Sequence, residues 1–383
     1  MTVLEGAWLS SDETQQALSV LTDSGFQALV VGGCVRNALL DVPISDVDIA
    51  TDALPQEVER LAQAKGFRTI PTGIAHGTVT LLIGSSSFEI TTFRQDIDTD
   101  GRHATVAFST DIKTDAERRD FTMNALYAQA DGTLVDPLNG LPDLLARRVV
   151  FVGAAQDRIR EDYLRILRFF RFHAWYGDPT GGIDADGLAA IAENADGLEG
   201  LSKERVGAEM TKLLSAVDPA PALATMAQCG VLMRILPGAT AASLPILVHF
   251  EDLHDVPPNA MRRLALLGGE NLQETLRLSK SDARRVETLR DTSSNGQTIG
   301  AIGYLHGKDV ARDTVLIRAA LFEMAPRAED FQAAEKGAQA VFPIKAADLP
   351  GEFVGRAIGD KLKDLEARWI ASDFELSKPE LLS

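Results

Sequence analysis

The chain has few cysteines, no long apolar run and a shortage of positive charge, and each shortage excludes a class of protein. Only Cys34 and Cys229 occur in its 383 residues, so we expect neither a disulfide framework nor a cysteine zinc site. No apolar stretch approaches the roughly 20 residues of a membrane-spanning helix. The first residues lack the basic and apolar regions of a signal peptide, and we therefore expect a cytoplasmic protein that contacts no membrane.

Positive charge is scarce overall but concentrated in one segment. The formal net charge of -17 argues against a uniformly basic nucleic-acid-binding protein. Residues 143–172, however, contain seven arginines and four acidic residues. Such a segment could orient a polyanion locally, whereas the ordinary alternative is a solvated, arginine-rich helix.

Hydrophobic patterning predicts an α+β first part and a helical remainder. Short apolar runs bounded by Gly, Pro and Asp predict strands at Ala28–Val31, Val47–Ala50, Thr78–Ile83, Phe88–Phe93 and Leu126–Ala128. A helical pattern covers Gln56–Lys65. After Asp143 amphipathic helical patterns dominate, and helix starts are predicted at Ser202, Ser279 and Ala346–Asp348.

The first chemical motif combines two glycines with two aspartates. Gly32 and Gly33 follow a predicted strand and precede a helical segment, and the start of a helix offers free N–H groups to phosphate. Asp46 and Asp48 are spaced to share one face of a strand. Adjacent carboxylates repel each other unless a cation lies between them. The motif predicts phosphate and a divalent metal together, as in nucleotidyl transfer, although an isolated Asp-x-Asp is ordinarily a solvated turn pair.

Glu89 is the candidate for a third carboxylate of that site. It lies in an alternating strand pattern that places it on one face with Thr91 and Phe93. The structural alternative is an exposed acidic residue on a strand.

A second motif, at residues 118–125, begins with two arginines and an aspartate. Arg118 and Arg119 could bind triphosphate oxygens. Asp120 could accept hydrogen bonds from ribose hydroxyl groups, or it could be the N-cap of the helix that follows. The residues alone do not separate these two interpretations.

The third motif is the arginine-rich segment 160–172, which predicts one continuous helix. Glu161, Asp162, Arg165 and Arg168 fall on one arc of that helix, and Arg171 projects toward its apolar side. A carboxylate accepting from an exocyclic amine, with a guanidinium donating to ring acceptors, would favour cytosine and adenine. The alternative is an i,i+3 salt bridge on a solvated face.

The order of these motifs, ending with Glu204-Arg205-x-x-x-Glu209, resembles the class II CCA tRNA nucleotidyltransferase and bacterial poly(A) polymerase family. The resemblance implies a polymerase-β-type head at 1–138, a helical neck at 139–200, a body at 201–270 and a tail at 271–383. It further implies that Asp46 and Asp48 bind Mg²⁺. The expected partners are tRNA, CTP and ATP, and no DNA is expected. The resemblance also implies two sets of binding residues. These are Gly33, Arg36 and Arg119 for the nucleotide, and Asp162, Arg165, Arg168 and Arg171 for the base.

Details of the motifs favour complete CCA addition. The segment 72–79 is similar to CCA-adding enzymes, and the polar stretch 95–117, with Asp98, Asp100, Gly101, Arg102 and His103, resembles the flexible loop that full CCA addition needs. Asn37 stands where the family usually has Asp. His254-Asp255 lacks the further ligands of a metal phosphohydrolase domain. A poly(A) polymerase, a partial CC- or A-adding enzyme and an inactive RNA-binding descendant are the alternatives.

Overall fold

The structure is a computed structural model that describes residues 2–99, 104–350 and 353–383. Asp100, Gly101, Arg102 and His103 of the predicted loop lie outside the described residues. The chain divides into two compact units, of which the first comprises Met1–Glu209 and Gln228–Ile235 and the second Met210–Ala227 and Leu236–Ser383. Within the described ranges, no helix is both long and apolar enough to cross a membrane.

The first unit is built around a seven-stranded mixed sheet, with a separate two-stranded hairpin. Its strands are β1 Ala28–Val31, β2 Asp48–Thr51, β3 Arg68–Gly73, β4 Thr78–Ile83, β5 Ser86–Thr92, β6 Arg94–Thr99, β7 Ala104–Phe108, β8 Tyr127–Ala128 and β9 Leu134–Val135. The sheet order is β3-β4-β5-β2-β1-β8-β9, and β6 pairs with β7. Strand β2 is parallel to β5, whereas β1 is antiparallel to both β2 and β8. Four apolar residues of β1 are buried, which fixes the strand at the centre of the sheet.

Short helices surround this sheet and continue into an arginine-rich helix. The helices of residues 1–200 are α1 Ala7–Ser10, α2 Asp12–Thr22, α3 Gly33–Leu39, α4 Pro55–Ala64, α5 Ile112–Glu117, α6 Leu141–Leu145, α7 Ala155–Glu161, α8 Leu164–Tyr176 and α9 Ala185–Asn194. Buried phenylalanines of α8 pack on Phe121 and Phe151, whose ring centroids lie 5.0 Å apart. This aromatic cluster holds α8 against the segment that follows α5.

The remaining described residues form helices and turns. The helices of this part are α10 Lys203–Leu214, α11 Ala220–Gln228, α12 Val231–Ile235, α13 Leu244–Leu253, α14 Ala260–Leu267, α15 Leu272–Thr275, α16 Lys280–Ser294, α17 Ile299–His306, α18 Lys308–Phe322, α19 Ala328–Gln339, α20 Arg356–Ala371 and α21 Lys378–Leu382. In the second unit, Ile344, Leu365, Trp369 and Leu381 form a separate apolar cluster. Ser279 caps α16 by accepting a hydrogen bond from the Asp282 amide, as its position before the helical pattern predicts.

The α+β fold class is confirmed, and β1 and β4 have the predicted bounds. Three local predictions are wrong. The stretch 95–117 is no single loop, because it contains most of the β6–β7 hairpin and all of α5. The predicted helix at 160–172 is interrupted at Asp162, whose φ of -155° and ψ of 105° are extended. Residues 346–348 form only a 3₁₀ turn, and the next helix starts at Arg356.

Candidate active site

The acidic site lies where β2 and β5 run side by side. Asp48 is directly opposite Glu89 in the parallel register, and both residues are exposed. Asp46 lies two residues before β2 and is also exposed, and its Oδ2 accepts a hydrogen bond from Ser45 Oγ at 2.8 Å. The sheet therefore brings Glu89 next to Asp48 although the two residues are 41 positions apart in sequence. Phe93, which the strand pattern placed on the same face as Glu89, follows the strand and is fully buried instead.

The charge on Asp48 is unfavourable in the absence of a cation. The protein atoms around the carboxyl group remove part of its hydration, and Glu89 and Asp46 repel it, so the pKa of Asp48 is raised to about 6 although Arg119 opposes the shift. In the part of the chain that is described, no three acidic, His or Cys side chains converge as a ready-made metal site. The donor set nevertheless fits a divalent ion, because carboxylate oxygens are its preferred ligands and mutual repulsion is what a bound cation relieves.

A glycine turn lies next to this acidic row. Gly32 has a φ of 73°, a left-handed value that glycine adopts without strain, and α3 starts at Gly33. A Cβ atom on Gly32 would lie 3.4 Å from Nη1 of Arg119. The Arg119 guanidinium therefore lies beside the turn, at the distance of an ordinary van der Waals contact from a side chain placed there.

Arg119 is held in a fixed orientation by a buried acid and a tyrosine. Its Nη2 donates to Asp115 Oδ2 at 3.0 Å and its Nε to Tyr127 Oη at 3.0 Å, while Tyr127 donates to the same Asp115 oxygen at 2.7 Å. Arg118 pairs with the other oxygen of Asp115. Burial would raise the pKa of Asp115, but Arg119 and Arg118 outweigh burial and lower it. Asp115 is thus an ionised anchor for both arginines.

Asp120 occupies the centre of a buried hydrogen-bond network. Its Oδ2 accepts from Arg168 Nε at 2.8 Å and from Arg168 Nη2, and its Oδ1 accepts from the Phe121 amide and from Asn124 Nδ2, both at 2.9 Å. Burial would raise the pKa of Asp120, but Arg168 and Asn124 outweigh burial and lower it. The N-cap interpretation is wrong, because Phe121 holds that position of the 3₁₀ turn at 122–124. Both carboxylate oxygens are engaged within the protein.

Arg36 is a buried cation that contacts neutral groups. Its guanidinium donates to Asn124 Oδ1 at 2.5 Å, to Asn37 Oδ1 at 2.9 Å and to Tyr176 Oη at 2.8 Å. It also stacks over the Tyr176 ring at 4.0 Å from the centroid. Because burial disfavours the charged form, the pKa of Arg36 is lowered. Protein groups thus surround the guanidinium, and the residue is 7% exposed.

The residues predicted to read the base are close in sequence but have separate partners. Asp162 Oδ2 accepts from Arg205 at 2.6 Å, whereas Arg165 Nη1 donates to Glu161 at 2.5 Å. Arg171 Nε donates to the buried Glu209 at 2.6 Å. Asp162 and Arg165 therefore form neither the predicted joint pair nor the i,i+3 salt bridge that was its alternative.

Sequence reasoning missed Asp115, Tyr127 and Tyr176 as parts of the site. The i,i+4 spacing of Asp115 and Arg119 was an available signal for their ion pair. Tyr127 and Tyr176 offer no such signal, because each resembles an ordinary core aromatic until the fold brings an arginine to its hydroxyl group.

Comparison with known families and proteins agrees with this geometry. Residues 28–150 match the family model described as "Poly A polymerase head domain", and residues 182–243 match "Probable RNA and SrmB- binding site of polymerase A". The mitochondrial CCA tRNA nucleotidyltransferase 1 of Mus musculus is 34% identical over 92% of this chain and 85% of its own length. The Danio rerio protein of the same name is 35% identical over 94% and 86%.

A solved structure extends the likeness to the fold. The crystal structure of the Bacillus stearothermophilus CCA-adding enzyme in complex with CTP superposes with a TM-score of 0.74, at 27% identity, and the match covers 96% of this chain and 94% of that one. With sequence identity above 30% across nearly the whole length of its relatives and the head-domain match over the acidic site, the chain belongs to the family of CCA tRNA nucleotidyltransferases and poly(A) polymerases.

Proposed function

We propose that this protein adds CCA to the 3′ end of tRNA, using CTP and ATP and no nucleic-acid template. The relatives that match almost the whole chain are named for this reaction, and the related Bacillus stearothermophilus enzyme was solved with CTP. The observation that carries the proposal is the pairing of Asp48 with Glu89 on parallel strands, with Asp46 two residues before. This arrangement supplies the carboxylates that nucleotidyl transfer requires.

Enzymes of this family depend on a divalent metal, and we propose Mg²⁺ as the ion. Asp46 and Asp48 would hold it, and Glu89 is the third carboxylate within reach of Asp48 through the strand register. When bound, the ions would activate the attacking tRNA hydroxyl group and neutralise charge on the phosphates of the nucleotide. The raised pKa of Asp48 supports this assignment, because partial burial and repulsion by Glu89 and Asp46, which raise it, disfavour a carboxylate that a bound cation would stabilise.

For the triphosphate we propose Gly33, Arg36 and Arg119. Arg119 lies beside the glycine turn and is fixed by Asp115 and Tyr127, so its guanidinium needs no reorganisation to meet an anion. Asp120 contributes to nucleotide binding by orienting Arg168 and Asn124, since both of its oxygens already accept hydrogen bonds.

For the base we propose the polar groups around the start of α8. Asp162 supplies an acceptor, and Arg165, Arg168 and Arg171 supply or support donors, a combination that suits the edges of cytosine and adenine. Use of Asp162 in this role requires its carboxylate to exchange or share the hydrogen bond that it accepts from Arg205.

The division into head, neck, body and tail at residues 138, 200 and 270 stays a prediction, as does a cytoplasmic location. The first compact unit contains the whole of the predicted head and neck. The matched vertebrate relatives are named as mitochondrial proteins.

The proposal is tested by supplying the protein with tRNA that lacks its 3′ CCA, Mg²⁺, and CTP, ATP, UTP or GTP singly and in mixtures. Product lengths resolve the alternatives, because three added residues require CTP and ATP together. Addition that stops at CC indicates a partial enzyme, and a long A tail indicates a poly(A) polymerase. Absence of any incorporation by a folded protein indicates an inactive RNA-binding descendant. Asp48→Asn serves as the negative control.

A further inference from the structure

The side chain of Asn37 connects Arg36 of α3 with the segment that follows this helix. Asn37 lies in α3, directly after Arg36. Its Oδ1 accepts hydrogen bonds from Arg36 Nε at 3.2 Å and from Arg36 Nη2 at 2.9 Å. Its Nδ2 donates to the carbonyl of Pro43 at 2.8 Å. The side chain thus accepts on one side and donates on the other.

Of asparagine and an ionised aspartate, only asparagine satisfies both neighbours. A guanidinium can only donate and a backbone carbonyl can only accept, so the group between them must present an oxygen to one and an N–H to the other. The aspartate that is usual in this family would keep the acceptor for Arg36. It would, however, place a carboxylate against the Pro43 carbonyl, where two acceptors repel each other.

The segment held by this contact leads directly to the acidic site. Pro43 lies three residues before Asp46, and the segment 42–47 forms no helix or strand. The backbone of Asn37 assists, because its carbonyl accepts from the Val42 amide at 2.9 Å. The position of the segment that carries Asp46 therefore depends on both the backbone and the side chain of Asn37.

The other end of the contact belongs to a buried hydrogen-bond network. Arg36 donates to Asn124, Asn124 donates to Asp120, and Asp120 accepts from Arg168 of α8. Arg36, Asn124 and Asp120 are each less than a tenth exposed. An uninterrupted series of hydrogen bonds thus runs from α8 to the Pro43 carbonyl.

We propose that Asn37 is a positioning residue that fixes the 42–47 segment, and with it Asp46, relative to this network. The proposal rests on the proposed function in assigning Asp46 to metal binding. Loss of the amide donor should loosen the segment and weaken metal binding without altering the nucleotide contacts of Arg36.

Two variants separate this role from simple support of Arg36. Asn37→Asp keeps the acceptor for Arg36 but loses the donor to Pro43, and Asn37→Ala loses both. Asn295→Asp, an exposed position in the second unit, makes the same chemical change away from the site and is the matched control. Hydrogen–deuterium exchange of residues 42–48 and titration with Mn²⁺, followed by electron paramagnetic resonance without tRNA or nucleotide, measure the two consequences.

We expect both Asn37 variants to exchange about five- to tenfold faster in this segment and to bind Mn²⁺ about five- to tenfold more weakly, as the loss of one hydrogen bond allows. In CTP addition by Asn37→Asp, which keeps the acceptor for Arg36, the Mg²⁺ concentration for half-maximal rate should rise by about the same factor, with KM for CTP unchanged within about twofold. If Asn37→Asp exchanged hydrogen and bound Mn²⁺ as the wild type does, the proposal would be overturned, whatever the behaviour of Asn37→Ala. Failure of the wild type to extend tRNA would instead contradict the proposed function, and the exchange and Mn²⁺ measurements would still decide the role of Asn37.

Discussion

Arg168 of α8 donates to Asp120 at 2.8 Å, across 48 residues of sequence, and Asp120 is 9% exposed. The contact joins the helix that would read the base to the segment that carries Arg119. Because a charged pair in a buried environment is stable only when complete, loss of either partner leaves an unpaired charge. We therefore expect a break in this pair to loosen the attachment of α8 to the segment that carries Arg119.

The first prediction concerns Asp120→Asn. The substitution keeps the size of the side chain but removes the charge that Arg168 requires, and we expect the free energy of unfolding to fall by about 3 kcal/mol. The preference for CTP over dCTP should remain unchanged, because both Asp120 oxygens are engaged within the protein. Urea unfolding and kcat/KM for CTP and dCTP measure the two effects.

Glu57→Gln is the matched control for that variant. Glu57 forms an exposed i,i+3 pair with Arg60, and solvent screens such pairs so that their loss changes stability little. A large loss of discrimination against dCTP in Asp120→Asn, without a loss of stability, would show that Asp120 contacts the ribose.

The second prediction concerns Asp48, whose charge, unlike that of Asp120, should not stabilise the fold. Its folded-state pKa of about 6 lies above the usual aspartate value of about 4, so ionisation of Asp48 makes the metal-free protein less stable as pH rises from about 4 to 6. We expect Asp48→Asn to unfold at the same or a higher urea concentration than the wild type at pH 7.5. Nucleotide transfer should fall about a thousandfold, which corresponds to about 4 kcal/mol of lost transition-state stabilisation.

A structural role for Asp48 predicts a different result. If Asp48→Asn were less stable than the wild type and transferred nucleotides at a near-normal rate when folded, the carboxylate would be a packing element. The Asp46→Asn variant, tested in the same way, extends the comparison to the second aspartate.

The sequence was sufficient for the parts of the site that depend on local periodicity. Strand β1 and strand β2 are local patterns, and their predicted positions agree with the structure within one residue. Asp46, which was predicted to share that strand with Asp48, lies two residues before β2 instead. The pairing of Asp48 with Glu89 needs the parallel register of β2 and β5, which no local pattern determines.

The interruption at Asp162 shows why the third motif was harder to predict. The hydrophobic period continues across residues 160–172, so periodicity alone favours one helix. Asp162 instead accepts from the Leu164 amide at 3.0 Å, and this local bond satisfies the first turn of α8. The Asp162 side chain competes with the backbone for a hydrogen bond, and the helix is interrupted there although the hydrophobic pattern continues.

The third prediction concerns the pH dependence of metal binding. Below about pH 6 a proton occupies Asp48, and a metal ion must displace it. We expect the Mn²⁺ affinity of the wild type to be nearly constant from pH 7 to 8 and to fall about tenfold between pH 6 and pH 5. Calorimetric titration at several pH values should also detect proton release near pH 6. An affinity that is independent of pH across this range would exclude Asp48 as a ligand.

The fourth prediction concerns a buried ionic cluster in the second unit. Glu251 accepts from Arg262 Nε at 2.7 Å and from Arg263 Nη2 at 2.6 Å, and all three side chains are at most 3% exposed. Glu251→Gln leaves both arginines with less negative charge nearby, and we expect a loss of about 3–5 kcal/mol in the free energy of unfolding of this unit. Asp309→Asn, which removes an exposed partner of Arg312, should change stability by less than about 1 kcal/mol. Equal, small effects of the two variants in urea unfolding would contradict this view.

The last prediction separates base reading by Asp162 from its ion pair with Arg205. If the carboxylate accepts from the exocyclic amine of cytosine and adenine, Asp162→Ala should lower kcat/KM for CTP and ATP relative to UTP and GTP by about ten- to hundredfold, because a lost base contact is worth about 1–3 kcal/mol. Arg205→Ala, which removes the partner 2.6 Å away but keeps the acceptor, should leave the four ratios within about threefold of the wild type. The measurement is kcat/KM for the four nucleotides at equal concentrations of folded protein. If both variants lose stability equally and neither changes the ratios, Asp162 serves only to join α8 to Arg205, and the specificity for C and A must come from other donors and acceptors.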